Sequence, residues 1–228
     1  MAAVLCVISD RQNLKIPLSE ALCQAAKGGA DVIQIRDKKL PASEIFAICS
    51  SLWSKIENLQ HAPELFVNDR VDIAIASHLG GVHLAAKSLP IRVAKSVLRE
   101  ANWQGTVGVS VHSLDEAVTA EEHGADYITY GHIFASESHR GEPPRGLSAL
   151  ARIVDAVNIP VIAIGGIQVQ NIGPVLSTGC SGVAVIGAVM HQDYPYDAVQ
   201  KLKEQIYKST TKPKFLFPTG GRTHAKSI

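Results

Sequence analysis

Apolar positions fall in two alternating patterns along the chain. Short runs that are apolar at nearly every position recur at Ala3–Ile8, Val32–Arg36, Leu65–Val67, Gly81–Leu84, Val107–Ser110, Tyr127–Tyr130, Pro160–Ala163 and Gly182–Ile186. A strand reads this way when both of its faces are covered, so these eight runs predict buried parallel strands. Between them lie longer stretches with helical spacing. Leu18, Ala21, Leu22, Ala25 and Ala26 predict a helix over Leu18 to Lys27. Ile45, Phe46, Ile48, Cys49, Leu52, Trp53 and Ile56 predict another over Ser43 to Ile56. Ser113 with Glu116 three residues on is a capping box opening a helix that runs to His123.

Eight strand–helix units favour a single-domain α/β fold, a closed (β/α)8 TIM barrel, over residues 1–207. Their spacing of about 26 residues suits a barrel of ordinary size. A doubly wound sheet is the alternative, but no GxGxxG follows the first strand. Glycines recur where helices give way to strands, in Gly28-Gly29-Ala30-Asp31, Gly124-Ala125-Asp126 and Gly179-Cys180-Ser181-Gly182. They fit helix C-caps and repeat architecture rather than chemistry. From Lys208 onward the chain is polar and basic apart from Phe215-Leu216-Phe217, so residues 208–228 are expected to form a flexible tail that buries little.

Composition narrows the partners. The 228 residues carry 22 basic and 21 acidic side chains, a net charge of +1, with 5% aromatics. Neither a broad basic surface nor base-stacking platforms follow from this, so nucleic acid and anionic membranes are not expected partners. The apolar run Val183–Met190 falls far short of the ~18 residues that span a bilayer. No basic segment precedes the first apolar run, so no signal peptide is expected and a cytoplasmic location is. Cys6, Cys23, Cys49 and Cys180 are scattered without a CxxC pair, which fits buried free thiols and no zinc site.

In such a barrel, chemistry gathers at the C-terminal ends of strands. Polar residues stand there in most units: Gln34-Ile35-Arg36-Asp37-Lys38, Asn68-Asp69-Arg70, His83, Ser110-Val111-His112 and Gly131-His132. Blander roles are open to each. Arg36 can pair with Asp37 or Asp69 on the rim. Asn68 and Asp69 can cap the next helix. His83 sits in an apolar setting that suits a packed strand residue, and His112 can be a loop residue beside the Ser113 cap. Gly165-Gly166 and Gly187 end the last two strands, where backbone N–H groups can approach a phosphate.

Six segments in order carry a resemblance. They are Gln34-Ile35-Arg36-Asp37-Lys38, Val67-Asn68-Asp69-Arg70-Val71-Asp72, Gly81-Val82-His83-Leu84, Gly108-Val109-Ser110-Val111-His112-Ser113, Ala125-Asp126-Tyr127 and Ile159 to Ile167. From about Val4 to Ile206 the chain resembles the thiamine-phosphate synthase superfamily. Synthases of that superfamily hold magnesium with two Asp and grip pyrophosphate with two Thr and a Lys after the sixth strand. Here those positions read Asp69 and Ser88, then Ser136, Ser138 and His139, with His132 after Gly131. These departures bring the chain nearer to the thiazole tautomerases of the same superfamily. The resemblance then implies an isomerase that aromatises an exocyclic-alkene thiazole carboxylate phosphate by proton transfer, with no cofactor and no metal. It implies His132 as catalytic acid–base, and substrate contacts from Arg36, Lys38, Asn68, Ser110, Gly165, Gly166, Ile186 and Gly187. Arg36 would take the carboxylate. The expected partner is a small phosphorylated thiazole, and a homodimer is left open. Two alternatives stand beside this: a thiamine-phosphate synthase that couples pyrimidine to thiazole with release of pyrophosphate, and a non-catalytic ligand-binding regulator.

Overall fold

The computed structural model describes residues 2–137 and 141–218. Eight strands alternate with helices along the chain: β1 (Val4–Ile8), α1 (Leu18–Lys27), β2 (Val32–Ile35), α2 (Ala42–Ile56), β3 (Glu64–Asn68), α3 (Val71–Ala76), β4 (Gly81–Leu84) and α4 (Ile91–Glu100). The order continues with β5 (Thr106–Val111), α5 (Leu114–Glu122), β6 (Tyr127–Gly131), α6 (Gly146–Ala156), β7 (Val161–Ile164), α7 (Ile172–Leu176), β8 (Gly182–Val185), α8 (Gly187–Met190) and α9 (Pro195–Lys208). All neighbours pair in parallel and β8 returns to β1, which closes the (β/α)8 barrel that the apolar rhythm predicts.

The strands read as continuously apolar because each faces two cores. Leu5, Val7, Ile33, Ile35, Leu65, Val67, Val183 and Val185 point outward, into the layer shared with the helices. Their neighbours Val4, Cys6, Ile8, Val32, Phe66, Tyr127, Ile162 and Ala184 fill the barrel interior. The inside is uneven. Gly81 and Gly108 stand beside the largest rings: a Cβ on Gly81 would overlap Phe66, and one on Gly108 would overlap Tyr127. Small residues opposite large ones let the interior fill without voids.

The recurring Gly-Ala-Asp and Gly-Cys-Ser turns have a shared structural purpose. The Asp31 carboxylate accepts the N–H of Leu5 at 2.7 Å, and that of Asp126 accepts the N–H of Val107 at 2.8 Å. Ser181 Oγ accepts the N–H of Val161 at 3.2 Å. Each turn residue thus pins the start of the neighbouring strand, and Lys203 and Lys95 neutralise the two carboxylates. The Ser113 cap is present, its Oγ accepting from the N–H of Glu116 at 3.1 Å. The Glu116 carboxylate reaches one residue further back than a capping box requires, to the N–H of His112 at 2.6 Å.

The expected flexible tail is corrected over residues 209–218. Phe217 is buried, and its ring meets the edge of Tyr127 with centroids 4.8 Å apart and lies 6.1 Å from Phe66. Lys214 anchors the approach: Nζ donates to the carbonyls of Val154, Asp155 and Val157 at the end of α6. A cation there meets the negative end of the helix dipole. The segment covers the N-terminal mouth of the barrel, a docking that its polar composition conceals. Residues 219–228 lie outside the described residues.

Candidate active site

The C-terminal mouth collects the polar interior residues of β2 to β6. Gln34 is buried, and its Nε2 donates to Asn68 Oδ1 at 3.0 Å. Its Oε1 is buried with no hydrogen-bond partner among the described residues. Asn68 passes the chain on, donating from Nδ2 to Asp69 Oδ2 at 2.6 Å. Asp69, in the left-handed region at φ 62°, also accepts from the Ala85 N–H at 3.2 Å and from the Ser88 hydroxyl. Asn68 and Asp69 therefore belong to one network across β2, β3 and the β4 loop, and neither caps a helix through its side chain.

Arg36 is positioned by its backbone. Ser9 Oγ accepts from its N–H at 2.7 Å and donates to its carbonyl at 3.1 Å. The rim pair with Asp37 does not form. Asp37 bonds Arg11 Nε at 2.5 Å and the N–H groups of Lys39 and Leu40. Among the described residues no acceptor meets the Arg36 guanidinium or the Lys38 ammonium. Two cations therefore stand without protein counter-charges at the end of β2.

His83, Ser110 and Thr129 form a second network deeper in the barrel. His83 Nδ1 lies 2.9 Å from the Tyr127 hydroxyl, and Nε2 lies 2.9 Å from Ser110 Oγ and 3.3 Å from Thr129 Oγ1. Burial pushes the imidazole pKa down to about 4, with smaller and opposed effects from Asp69 and Arg36, so the ring is neutral near pH 7.

His132 is only 2% exposed, and its Nε2 donates to the carbonyl of Glu142 at 3.3 Å. The loop after β6 thus folds over the side chain expected to move protons. The Gly131–His132 peptide is cis. The Gly131 carbonyl accepts from His112 Nδ1 at 3.2 Å and from Arg145 Nε at 2.7 Å. His112 is the loop residue beside the Ser113 cap, and its ring is tied to the rim through the Gly131 carbonyl. Ser136 Oγ is buried without a partner among the described residues, while Ser138 and His139 lie outside them.

The glycines at the ends of β7 and β8 have a packing reason that the sequence hides. A Cβ on Gly165 would overlap the Cβ of His132, and one on Gly166 would lie 2.5 Å from the Ala135 carbonyl and 2.8 Å from the Phe134 Cβ. Both also hold φ of 101° and 66°. Gly187, which follows Ile186 into α8, would meet His191 Nδ1 at 2.8 Å. His191 in turn bonds Asp10 Oδ2 through Nε2 at 3.1 Å, joining the end of β8 to that of β1. Gln34 and Ser136 are the residues that sequence reasoning left without a role. Both stand in segments that the sequence singled out, but the burial of an unpaired polar atom, invisible in a sequence, is what gives them a role.

Among the described residues no three His, Cys, Asp or Glu side chains group to hold a metal, and no helix is long and apolar enough to cross a membrane.

Known proteins favour one of the readings. A thiamine-phosphate synthase of Pyrococcus furiosus is 40% identical over 200 residues, 88% of this chain and 93% of its own. One from Chlorobium luteolum is 38% identical over 201 residues, 87% of this chain and 91% of its own. The solved thiamine phosphate pyrophosphorylase from Pyrococcus furiosus superposes with a TM-score of 0.81 at 39% identity, covering 90% of this chain and 96% of that one. These relatives overturn the expected thiazole tautomerase and its isomerase class. The expectation weighed a few replaced side chains above the shared strand-end segments. The match to the thiamine monophosphate synthase model of the TMP-TENI family spans residues 5–189, and the chain belongs to that family.

Proposed function

We propose that the protein is a transferase that joins a pyrimidine, activated as its methylene diphosphate, to a thiazole phosphate. The single observation that carries this is the 38–40% identity to thiamine-phosphate synthases over nearly their whole length. In the reaction, the C–O bond between the pyrimidine methylene and the diphosphate breaks, and its electron pair leaves with pyrophosphate. The thiazole nitrogen supplies the pair for the new C–N bond and becomes cationic. No proton needs to move.

The residues support such a reaction by binding and charge placement. Arg36 and Lys38, without acceptors among the described residues, offer positive charge to phosphate oxygens. Ser136 Oγ, buried and without a partner among the described residues, offers a further donor in the loop where synthases carry Thr. Gln34 Oε1 is an orphaned acceptor and suits a donor on a heteroaromatic ring, because an unmade buried hydrogen bond costs about 1–3 kcal/mol. Backbone N–H groups around Gly165, Gly166, Ile186 and Gly187 are the place for the thiazole phosphate.

A magnesium ion fits this donor set in part. Magnesium is commonly held by one or two carboxylates with substrate phosphates and water. The Asp69 carboxylate and the Ser88 hydroxyl that bonds it are the residues that would hold one, leaving most ligand positions to the diphosphate. Bound there, the ion would neutralise charge on the departing pyrophosphate.

The test is incubation of the purified protein with both substrates and magnesium. Thiamine phosphate and pyrophosphate in equal amounts are the expected products. Absence of both, at protein concentrations matching the substrate, would overturn the proposal. Ser88→Asp is then expected to raise turnover at low magnesium, because it restores the second carboxylate.

A further inference from the structure

The buried network under the mouth settles which way its hydroxyl protons point. Tyr127 is buried, and burial holds its pKa well above the ordinary value, so its hydroxyl keeps the proton. Among the described residues that proton has one acceptor, His83 Nδ1 at 2.9 Å. The opposite arrangement, with Nδ1 donating to the phenol oxygen, would leave the phenol proton buried and unpaired. An unmade buried hydrogen bond is costly enough to fix the tautomer. His83 therefore carries its proton on Nε2 and donates it toward Ser110 Oγ at 2.9 Å.

Thr129 completes the argument. Thr129 is buried, 5% exposed, so its hydroxyl proton also needs an acceptor inside the barrel, and Ser110 Oγ lies 3.2 Å away. Ser110 Oγ thus accepts from both His83 and Thr129. It cannot return its own proton to either. Ser110 is half-buried near the C-terminal end of β5, so that proton is left to point into the mouth.

We infer that Tyr127 and His83 are positioning residues that lock the Ser110 hydroxyl as a hydrogen-bond donor to an acceptor atom of the bound substrate. The inference deepens the proposed transferase reading and rests on it for the identity of the substrate. It also sets a selectivity. A ligand presenting a lone pair at that place is favoured, and one presenting an N–H faces a donor that cannot turn away.

The experiment has two arms. In protein labelled with 15N-histidine, long-range 1H–15N spectra should show His83 with a protonated Nε2 and a bare Nδ1. The reverse tautomer in the unsubstituted protein would overturn the inference, whether or not any activity is found. In the second arm, Ser110→Ala is expected to lower kcat/KM for thiamine phosphate formation about tenfold, the worth of one directed hydrogen bond. Tyr127→Phe keeps the ring but frees the tautomer. It should lower kcat/KM about twofold, the loss expected when half the molecules are competent, and its spectrum should show both tautomers. Adding Tyr127→Phe to Ser110→Ala should then lower kcat/KM no further. A further loss in the double variant would assign Tyr127 a merely structural role and refute the coupling. If the unsubstituted protein forms no thiamine phosphate, the transferase reading fails by itself, and the tautomer still decides the direction of the hydroxyl.

Discussion

The two mouths of the barrel are finished by opposite means. At the N-terminal mouth three aromatic rings close on one another: Phe66, Tyr127 and Phe217, with centroids 4.8 to 6.1 Å apart. At the C-terminal mouth stand Arg36 and Lys38 without acceptors among the described residues, and buried Gln34 Oε1 and Ser136 Oγ without partners among them. One end is satisfied by shape, the other left unsatisfied by polarity. Groups a protein leaves unpaired cost stability, and they are kept where a ligand completes them. The closed end is where stability should reside and the open end where binding should.

The sharpest test of this division is Phe217→Ala. Truncating a buried Phe costs about 3–5 kcal/mol, which in a domain of this length is a fall in melting temperature of roughly 6–20 °C, read by calorimetry. Substrate KM should stay within about threefold, since the ring is remote from the rim. An unchanged melting temperature would mean that the segment rests on the barrel without supporting it.

His83 lies between the two ends and tests them by pH. Its native pKa is lowered to about 4 by burial, from 6.5. Between these values the unfolded chain binds the proton and the native chain does not, so stability falls as pH drops through that window. The contribution is roughly 3 kcal/mol in full. Urea titrations at pH 7 and pH 4.5 should show His83→Gln losing less stability on acidification than the unsubstituted protein. Equal losses would place the proton elsewhere.

Arg36→Ala addresses the rim. Loss of a charge-assisted contact of about 2 kcal/mol should raise KM for the phosphorylated substrates roughly thirtyfold. The melting temperature should hold or rise, because an unpaired cation has been removed. A large fall would show that the guanidinium supports the fold. The smallest effect is expected from Lys214→Met. Losing the cation at the end of α6 should cost about 1 kcal/mol, seen as a shift of a few degrees, with turnover unchanged.

The architecture was legible because each strand is covered on both faces and so carries a continuous apolar run. Val4–Ile8 and Val32–Ile35 end within a residue of where the pattern placed them. The Ser113 cap was legible because a cap is a local event. The docking of Phe217 was not. It depends on a socket built from β3 and β6, and nothing within the segment from Lys208 to Pro218 encodes that socket. The glycines after β7 illustrate a subtler limit. Their positions were readable, but Gly165 and Gly166 are also required by the backbone of the loop that carries His132 to Ala135. The strand-end residues identified the superfamily, while the choice within it turned on Ser88 and the loop after β6, too few positions to outweigh the segments shared with synthases.

The seat of Phe217 has a consequence for the order in which the molecule is made. Synthesis runs from the N-terminus, so β1 waits for β8 before the barrel can close. The ring that seals its base is supplied later still, after α9 has emerged. A nascent chain can thus complete all eight strands and still present the faces of Phe66 and Tyr127 to water. Exposed aromatic surface of that kind invites chaperones and proteases. Arrival of residue 217 would then mark the moment at which the base of the barrel is covered and that aromatic surface leaves the water.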